Sequence, residues 1–258
     1  MTLRLSPALC FALIVVLAGG CSKSNPPHKS AESSRSGGGA ISIDAANTGA
    51  ISGTIRFAGT APPRVPIDMD QDPACAVSSK EPNLSEGIIV NQGKLQNVFI
   101  YVKQGLEDYA MAKPSAPAVL DQKGCRYAPH VLGMVAGQTL RVLNSDAAEH
   151  NVHPMPRNNA EWNESQMPGG APKEHVLDHA ELMLPITCNQ HPWMKMYVNV
   201  VDNPFFAVSD GQGRFAISGL PPGEYTIEAI HETLGTQSAK VRVEPHRAAV
   251  AEFTFKPQ

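Results

Sequence analysis

The 258-residue sequence has little excess charge of either sign. Lysine and arginine number 21 and aspartate and glutamate number 24, so the formal net charge is −3. A nucleic-acid-binding protein needs a basic surface, and this balance excludes nucleic acid as a partner. Charged residues make up 17% of the chain and apolar residues 42%. The chain therefore has enough apolar side chains for a packed core and too few charges for a mostly disordered protein.

Helical periodicity is also missing. No segment keeps an apolar period of 3.6 residues over three turns, and no internal repeat is present. Glycine (21) and proline (22) together make up about one residue in six, and they separate short runs rich in β-branched and aromatic residues. This pattern excludes a helical bundle and predicts an all-β protein built from two β-sandwiches.

The N-terminal segment has the pattern of an export signal. One charge, Arg4, precedes an apolar run that is too short for a membrane span. Small residues then lead to Cys21, which resembles the bacterial lipoprotein signal, with a signal peptide at 1–20 and a lipid on Cys21. An ordinary secretory signal and an uncleaved anchor are the alternatives. Ser22 stands where an aspartate would indicate inner-membrane retention, so the resemblance implies anchoring in the cell envelope, on the periplasmic face of the outer membrane.

Residues 21–48 are predicted to form a flexible tether. The segment is rich in serine and glycine, most clearly in the run at 33–39, and this composition is typical of linkers. The folded part of the chain is therefore expected to begin near Gly49.

The cysteine count favours one disulfide and one reduced thiol. Of five cysteines, Cys10 leaves with the signal and Cys21 carries the lipid. Outside the cytoplasm paired thiols oxidise, and three cysteines remain: Cys75, Cys125 and Cys188. Cys188 is followed within seven residues by an imidazole and a thioether, whereas the other two have no such neighbours. We predict a Cys75–Cys125 disulfide; a bridge from Cys188 to either of them, or a buried free thiol, stays open.

The segment after residue 187 has the composition of a copper-binding loop. Cu(I) prefers thiolate and thioether ligands and Cu(II) accepts imidazole, so one site for both states combines two His, one Cys and a weakly bound Met. Cys188, His191 and Met194 supply three such groups between two predicted strands. The fourth ligand must come from a distant strand, and His150, which follows the strand at 140–144 and a short turn, is the candidate.

These motifs resemble those of the cupredoxins of the plastocyanin and amicyanin type. The turn and strand at 136–140, then Asn144, then His150-Asn151-Val152 follow the pattern of that family, and the loop at 188–194 is most similar to the short amicyanin loop. The resemblance covers roughly residues 95–202 and implies a Greek-key β-sandwich with one type 1 copper per chain. It implies four copper ligands: His150, Cys188, His191 and Met194. The alternative is a buried cysteine, a surface histidine and core methionines.

Two assignments within this motif stay open. Met196 would give the longer plastocyanin spacing, although Met194 fits better with a following strand that begins at Tyr197. His153 lies three residues after His150, so on a strand the two side chains point to opposite faces. It is a neighbour of the ligands, a surface histidine for electron entry, or an ordinary polar residue.

The C-terminal region resembles a second, smaller sandwich, the carboxypeptidase-regulatory, prealbumin-like module. Gly211 and Gly213 permit a tight hairpin, and a Pro-Pro-Gly turn precedes the strand at 225–230. The strand within residues 49–63 resembles the first strand of that module. We therefore predict a cupredoxin domain at 64–203 inserted before the rest of the module at 204–258. The family is often labelled carbohydrate-binding, but fold is weak evidence of function, and a structural spacer is the stronger expectation.

Taken together, the motifs predict a lipid-anchored one-electron carrier whose partner is a redox protein such as a cytochrome. No Ser-His-Asp order, phosphate-binding loop or paired-carboxylate motif is present, so we do not expect an enzyme. Two other classes remain: a copper storage or delivery protein, and a carbohydrate-binding or scaffold module with a vestigial copper site.

Overall fold

A computed structural model of the protein describes residues 40–78 and 81–257. This part of the chain is built almost entirely from strands and turns, so the predicted all-β class is confirmed. None of its helices has the length and apolarity needed to cross a membrane. The signal peptide, Cys21 and the tether up to residue 39 lie outside the described residues. The end of the predicted tether, by contrast, is structured, because Ile41 forms a β-bridge with Tyr109.

Short strands follow one another along the described chain, with a 3-10 turn at Ala45–Asn47 and one short helix, α1, at Pro73–Ala76. The strands are β1 (Gly49–Phe57), β2 (Val90–Asn91), β3 (Lys94–Leu95), β4 (Phe99–Gln104), β5 (Ala118–Gln122), β6 (Tyr127–Ala128), β7 (Val131–Val135), β8 (Thr139–Asn144), β9 (His150–Pro154), β10 (Glu164–Gln166), β11 (Lys173–Val176), β12 (Glu181–Thr187), β13 (Lys195–Val201), β14 (Phe206–Val208), β15 (Arg214–Leu220), β16 (Gly223–His231), β17 (Gly235–Val243) and β18 (Ala248–Phe255).

The outer sandwich combines both ends of the folded chain. One sheet has the order β15-β1-β3-β2, with β18 parallel to β1 along its other edge, and the second has the order β14-β4-β16-β17. Alternate residues of these strands point inward and form one buried cluster. Residues such as Ile51, Ile227 and Phe253, far apart in sequence, meet in this core. The N-terminal strand β1 thus pairs with strands from the C-terminal part of the chain.

The inserted sandwich lies between β4 and β14 in the chain. Its sheets have the orders β10-β9-β12-β13-β7 and β11-β8-β5-β6. Strand β8 alternates strictly between half-buried and buried residues, so Leu140 and Val142 enter a second core with Leu184, Ile186 and Val198. The long connection at 155–172 contains the short strand β10.

The prediction that the inserted domain starts at residue 64 is wrong, because β2, β3 and β4 belong to the outer sandwich. Strand β4 pairs with β14 and β16 of the outer sandwich. Its Ile100 packs in the outer core, whereas Phe99 packs on the opposite side against Val131 and Val201 of the inserted sandwich. The first four residues of the strand are buried on both faces, which explains why residues 99–102 form an uninterrupted apolar run. The contact is close at Gly133 of β7, where an added Cβ would lie 2.5 Å from the Phe206 ring.

Candidate metal centre

Strand β9 and the loop that joins β12 to β13 bring the predicted ligands together. His150 is the first residue of β9, which pairs with β12 next to the loop. Cys188 follows the last residue of β12, and its amide donates to the Met194 carbonyl at 3.2 Å. The Met194 amide donates in turn to the carbonyl of His191 at 2.9 Å. These bonds close a seven-residue loop that folds the ligand side chains inward.

Three of the predicted ligands converge in a buried pocket. The Nδ1 atoms of His150 and His191 are 2.9 Å apart, and the Cys188 sulfur lies 3.6 Å from the His191 Nδ1. The exposed fractions are 0% for His150 and 3% for each of the other two. Metal–nitrogen bonds of about 2.0 Å and metal–thiolate bonds of about 2.3 Å are compatible with ligand atoms at such separations.

Carboxylates bind the opposite nitrogen of each ring. Asp146 Oδ2 lies 3.0 Å from the His150 Nε2, and Asp72 Oδ2 lies 3.0 Å from the His191 Nε2. A carboxylate accepts a hydrogen bond, so each Nε2 carries the proton and each Nδ1 is left to face the pocket. Sequence reasoning missed both aspartates. Asp72 is 119 residues from His191, and the turn that contains Asp146 has no motif of its own.

Asn151 fixes the cysteine side of the pocket. Its side-chain oxygen lies 3.2 Å from the Cys188 sulfur and accepts a hydrogen bond from the Asn189 amide at 2.7 Å. Its side-chain nitrogen donates to Asn163 at 2.6 Å. The asparagine of the His-Asn-Val motif therefore orients the sulfur, a role that follows from its buried position next to His150.

The pocket favours a thiolate beside an imidazolium when no metal is bound. Burial raises the pKa of Cys188, but the hydrogen bond with His150 and those from three backbone amides outweigh it and lower the pKa to about 6. Burial lowers the pKa of His150, but its hydrogen bonds with Asp146 and Cys188 raise it to about 9. The Nδ1 atoms of the two histidines face each other at 2.9 Å, so a metal cation has a natural place between them.

The two methionines differ in their place on the backbone. Both are buried in the same cluster as Cys188, with Met194 1% and Met196 0% exposed. Met194 is the last residue of the loop, whereas Met196 lies inside β13 and pairs with Ile186 of β12.

His153 points away from the pocket. Its ring nitrogens lie 3.1 Å from the Asn189 side-chain oxygen and 2.7 Å from the Glu161 carboxylate, at the partly exposed surface. The structure thus places it next to the loop and not among the ligands.

The predicted cysteine pairing is the one that the structure contains. Cys75 and Cys125 form a disulfide with their Cα atoms 5.5 Å apart, and Cys188 is reduced and buried. Potential ligand atoms of Cys75 and Cys125 also lie within 4.8 Å of those of the two histidines or of Asp146 and His150. Disulfide sulfurs carry no thiolate charge, so among the described residues Cys188 is the cysteine that can supply a thiolate.

The donor set fits a copper ion. Two imidazoles and a thiolate converge, and a thioether lies in the same cluster. Such ligands suit both oxidation states of copper.

No protein-family model matches the chain, and no curated protein matches it. Solved structures with similarity to it include a copper-containing nitrite reductase from Thermus scotoductus SA-01 (19% identity, 39% of this chain and 25% of that one, TM-score 0.31). A purple cupredoxin from Nitrosopumilus maritimus is similar at 23% identity over 32% of this chain and 98% of its own, with a TM-score of 0.28. An amicyanin mutant in its Cu(I) form is similar at 22% identity over 34% and 84%, with a TM-score of 0.30. At these TM-scores the functional assignment rests on the geometry of the pocket itself.

Proposed function

We propose that the protein is an extracytoplasmic type 1 copper protein that carries single electrons. The observation that carries the proposal is the convergence of two imidazole Nδ1 atoms and a thiolate in a buried pocket. His150, Cys188 and His191 would be the main ligands, and Met194 the weak axial one. When bound, copper supplies a one-electron couple between Cu(I) and Cu(II). The chain supplies a pocket whose ligands are held by hydrogen bonds before any metal arrives.

Met194 is the proposed axial ligand because it belongs to the closed loop. Its amide and carbonyl both bond to other loop residues, so its position is tied to those of Cys188 and His191. Met196 is tied instead to the β12–β13 ladder through Ile186.

Burial of the ligands favours a carrier over a donor of copper. An electron can cross a protein shell, whereas delivery needs an incoming ligand to reach the metal. Cys188, His150 and His191 are each no more than 3% exposed, and Trp193 packs against the ligand cluster. The second candidate is copper storage or delivery, which is favoured by the exposed thioethers of Met155 and Met167 (45% and 61% exposed).

The cellular context is part of the proposal. A lipid on Cys21 would hold the domain at the envelope, in an oxidising compartment that suits the Cys75–Cys125 disulfide. The electron partner would be a redox protein such as a cytochrome, and we propose no enzymatic reaction. The outer sandwich would serve as a spacer, with carbohydrate binding as a weaker role.

Copper titration of the full-length protein tests the site. We expect one equivalent of Cu(II) to give an intense visible band from thiolate-to-copper charge transfer. Cys188→Ser should abolish the band and His150→Ala should weaken copper binding. The exposed His179 lies on the same sandwich, so His179→Ala is the matched control and should behave as wild type. A full band in Cys188→Ser would show that another thiol binds the metal.

A further inference from the structure

We propose that the Cys75–Cys125 disulfide, together with Asp72 and Asp146, acts as a clamp that positions both imidazole ligands. The clamp holds each ring at Nε2, the nitrogen that points away from the pocket. The expected effect on copper rests on the proposed function, whereas the effect on the rings can be measured without metal.

The first arm of the clamp runs through α1. Asp72 caps this helix, and its Oδ1 accepts hydrogen bonds from the amides of Ala74 at 2.8 Å and Cys75 at 3.3 Å. Its other oxygen binds the His191 Nε2. One carboxylate therefore links the turn that contains Cys75 directly to a ligand. A helix of four residues has little stability of its own, so this arm depends on tertiary contacts, and the disulfide is the covalent one among them.

The second arm runs through the turn before Cys125. Asp146 Oδ1 accepts from the Gly124 amide at 2.6 Å, and Oδ2 accepts from the Cys125 amide at 2.8 Å. The same Oδ2 lies 3.0 Å from the His150 Nε2. Each half of the disulfide is thus bonded through its own amide to the aspartate that holds one histidine.

The disulfide joins the two arms beneath the ligand loop. Both sulfurs belong to residues that are 1% exposed, and the Cys75 sulfur lies 3.7 Å from the His191 Nε2. The Trp193 indole donates to the Cys125 carbonyl at 3.0 Å, which attaches the loop to the same bridge. A disulfide that only crosslinked another part of the fold would have none of these contacts with the ligands.

The two arms differ in how much they depend on the bridge. Asp146 is four residues from His150 and its side chain is 9% exposed, so local structure keeps it in place. Asp72 is 119 residues from His191, and its side chain is 30% exposed. Opening the disulfide should therefore release Asp72 from His191 and leave Asp146 on His150.

Loss of a carboxylate partner weakens an imidazole ligand. Such partners raise the basicity of the ring and fix its orientation, and removing one typically costs about 10–100-fold in metal affinity. The more charged Cu(II) should lose more than Cu(I). If the difference is tenfold, the reduction potential rises by about 59 mV, the value of a tenfold change for a one-electron couple.

Four full-length variants test the clamp: Asp72→Ala, the double variant Cys75→Ser with Cys125→Ser, the triple variant that combines them, and Asp70→Ala as a control. Asp70 is exposed in the same loop. We expect Asp72→Ala and the double variant each to lose at least tenfold in Cu(II) affinity and to raise the potential. The triple variant should lose little more, because both changes remove the same contact. The proposal would be overturned if the losses multiplied in the triple variant. It would also be overturned if the double variant kept the affinity and potential of the wild type.

A second measurement separates the clamp from the proposed function and from misfolding. In the copper-free wild type, nitrogen-15 NMR should find the His191 proton on Nε2, and Asp72→Ala should let it exchange between the two nitrogens. Asp72→Asn keeps an acceptor, so it should restore the Nε2 proton but not the full Cu(II) affinity. If the wild type binds no copper but its His191 signals change in these variants as expected, the proposed function is refuted and the clamp is supported. Unchanged His191 signals in Asp72→Ala, which retains the disulfide, would overturn the clamp even if the double variant does not fold.

Discussion

His231 should make the folded state sensitive to acid. Its side chain is 2% exposed, and Nδ1 accepts a hydrogen bond from the Thr233 amide at 3.2 Å. Nε2 is buried and has no hydrogen-bond partner within the described chain. Burial lowers the pKa of His231 from its ordinary value of 6.5 to about 4, with Glu232 opposing this effect and His130 adding to it. Protonation would also break the bond from Thr233, since Nδ1 would become a donor.

The size of the effect follows from this pKa. One pKa unit corresponds to about 1.4 kcal/mol, so a fall from 6.5 to about 4 is worth about 3 kcal/mol. The unfolded chain takes up the proton first as the pH falls. The free energy of unfolding is therefore unaffected by His231 above pH 6.5 and decreases by up to about 3 kcal/mol as the pH falls to 4.

Urea unfolding of wild type and His231→Gln at several pH values between 7 and 4 measures this contribution. Glutamine does not titrate, so the wild type should lose about 3 kcal/mol more than the variant over this range. The exposed His179 provides the control, and His179→Gln should follow the wild type. Parallel pH profiles for wild type and His231→Gln would refute the reasoning.

Four further substitutions test other contacts. Met194→Leu should change the reduction potential and visible spectrum while copper stays bound, because the axial bond is weak, and Met196→Leu should change neither; voltammetry that ranks them in reverse would assign the axial role to Met196. Gly133→Ala should lower the free energy of unfolding by about 1–3 kcal/mol, since the new methyl group would press on the Phe206 ring; an unchanged urea midpoint would contradict this. His153→Ala should leave the copper spectrum unchanged, because the ring lies outside the pocket, and an altered band would place it among the groups that act on the metal.

Local sequence was sufficient to predict the all-β class and the position of the ligand loop between two strands. The His-Asn-Val strand and the Cys-x2-His-x2-Met loop are short motifs, and their residues are close in space because β9 and β12 pair. The apolar run at 99–102 indicates a buried strand, but its composition does not tell which sheet the strand joins. That choice depends on pairing with β16, more than a hundred residues further along the chain.

The two aspartates that bind the histidine rings could not be predicted from the sequence, for a different reason. A single Asp at a helix N-cap, such as Asp72, is ordinary capping chemistry, and nothing local indicates that its second oxygen binds His191. The predicted disulfide was the one indication of these contacts. A bridge between residues 75 and 125 brings the turns next to those residues close together. Its position next to the histidines depends on tertiary packing.

The most direct test of the account follows copper and electrons in the same preparation. The Cu(I) form of the full-length protein is mixed in a stopped-flow instrument with a Cu(I) chelator, and separately with an oxidised small redox protein. The buried, clamped ligands predict rapid growth of the Cu(II)–thiolate band with the redox protein and slow loss of copper to the chelator. Loss of copper within seconds, together with slow electron exchange, would contradict the carrier function and favour copper delivery.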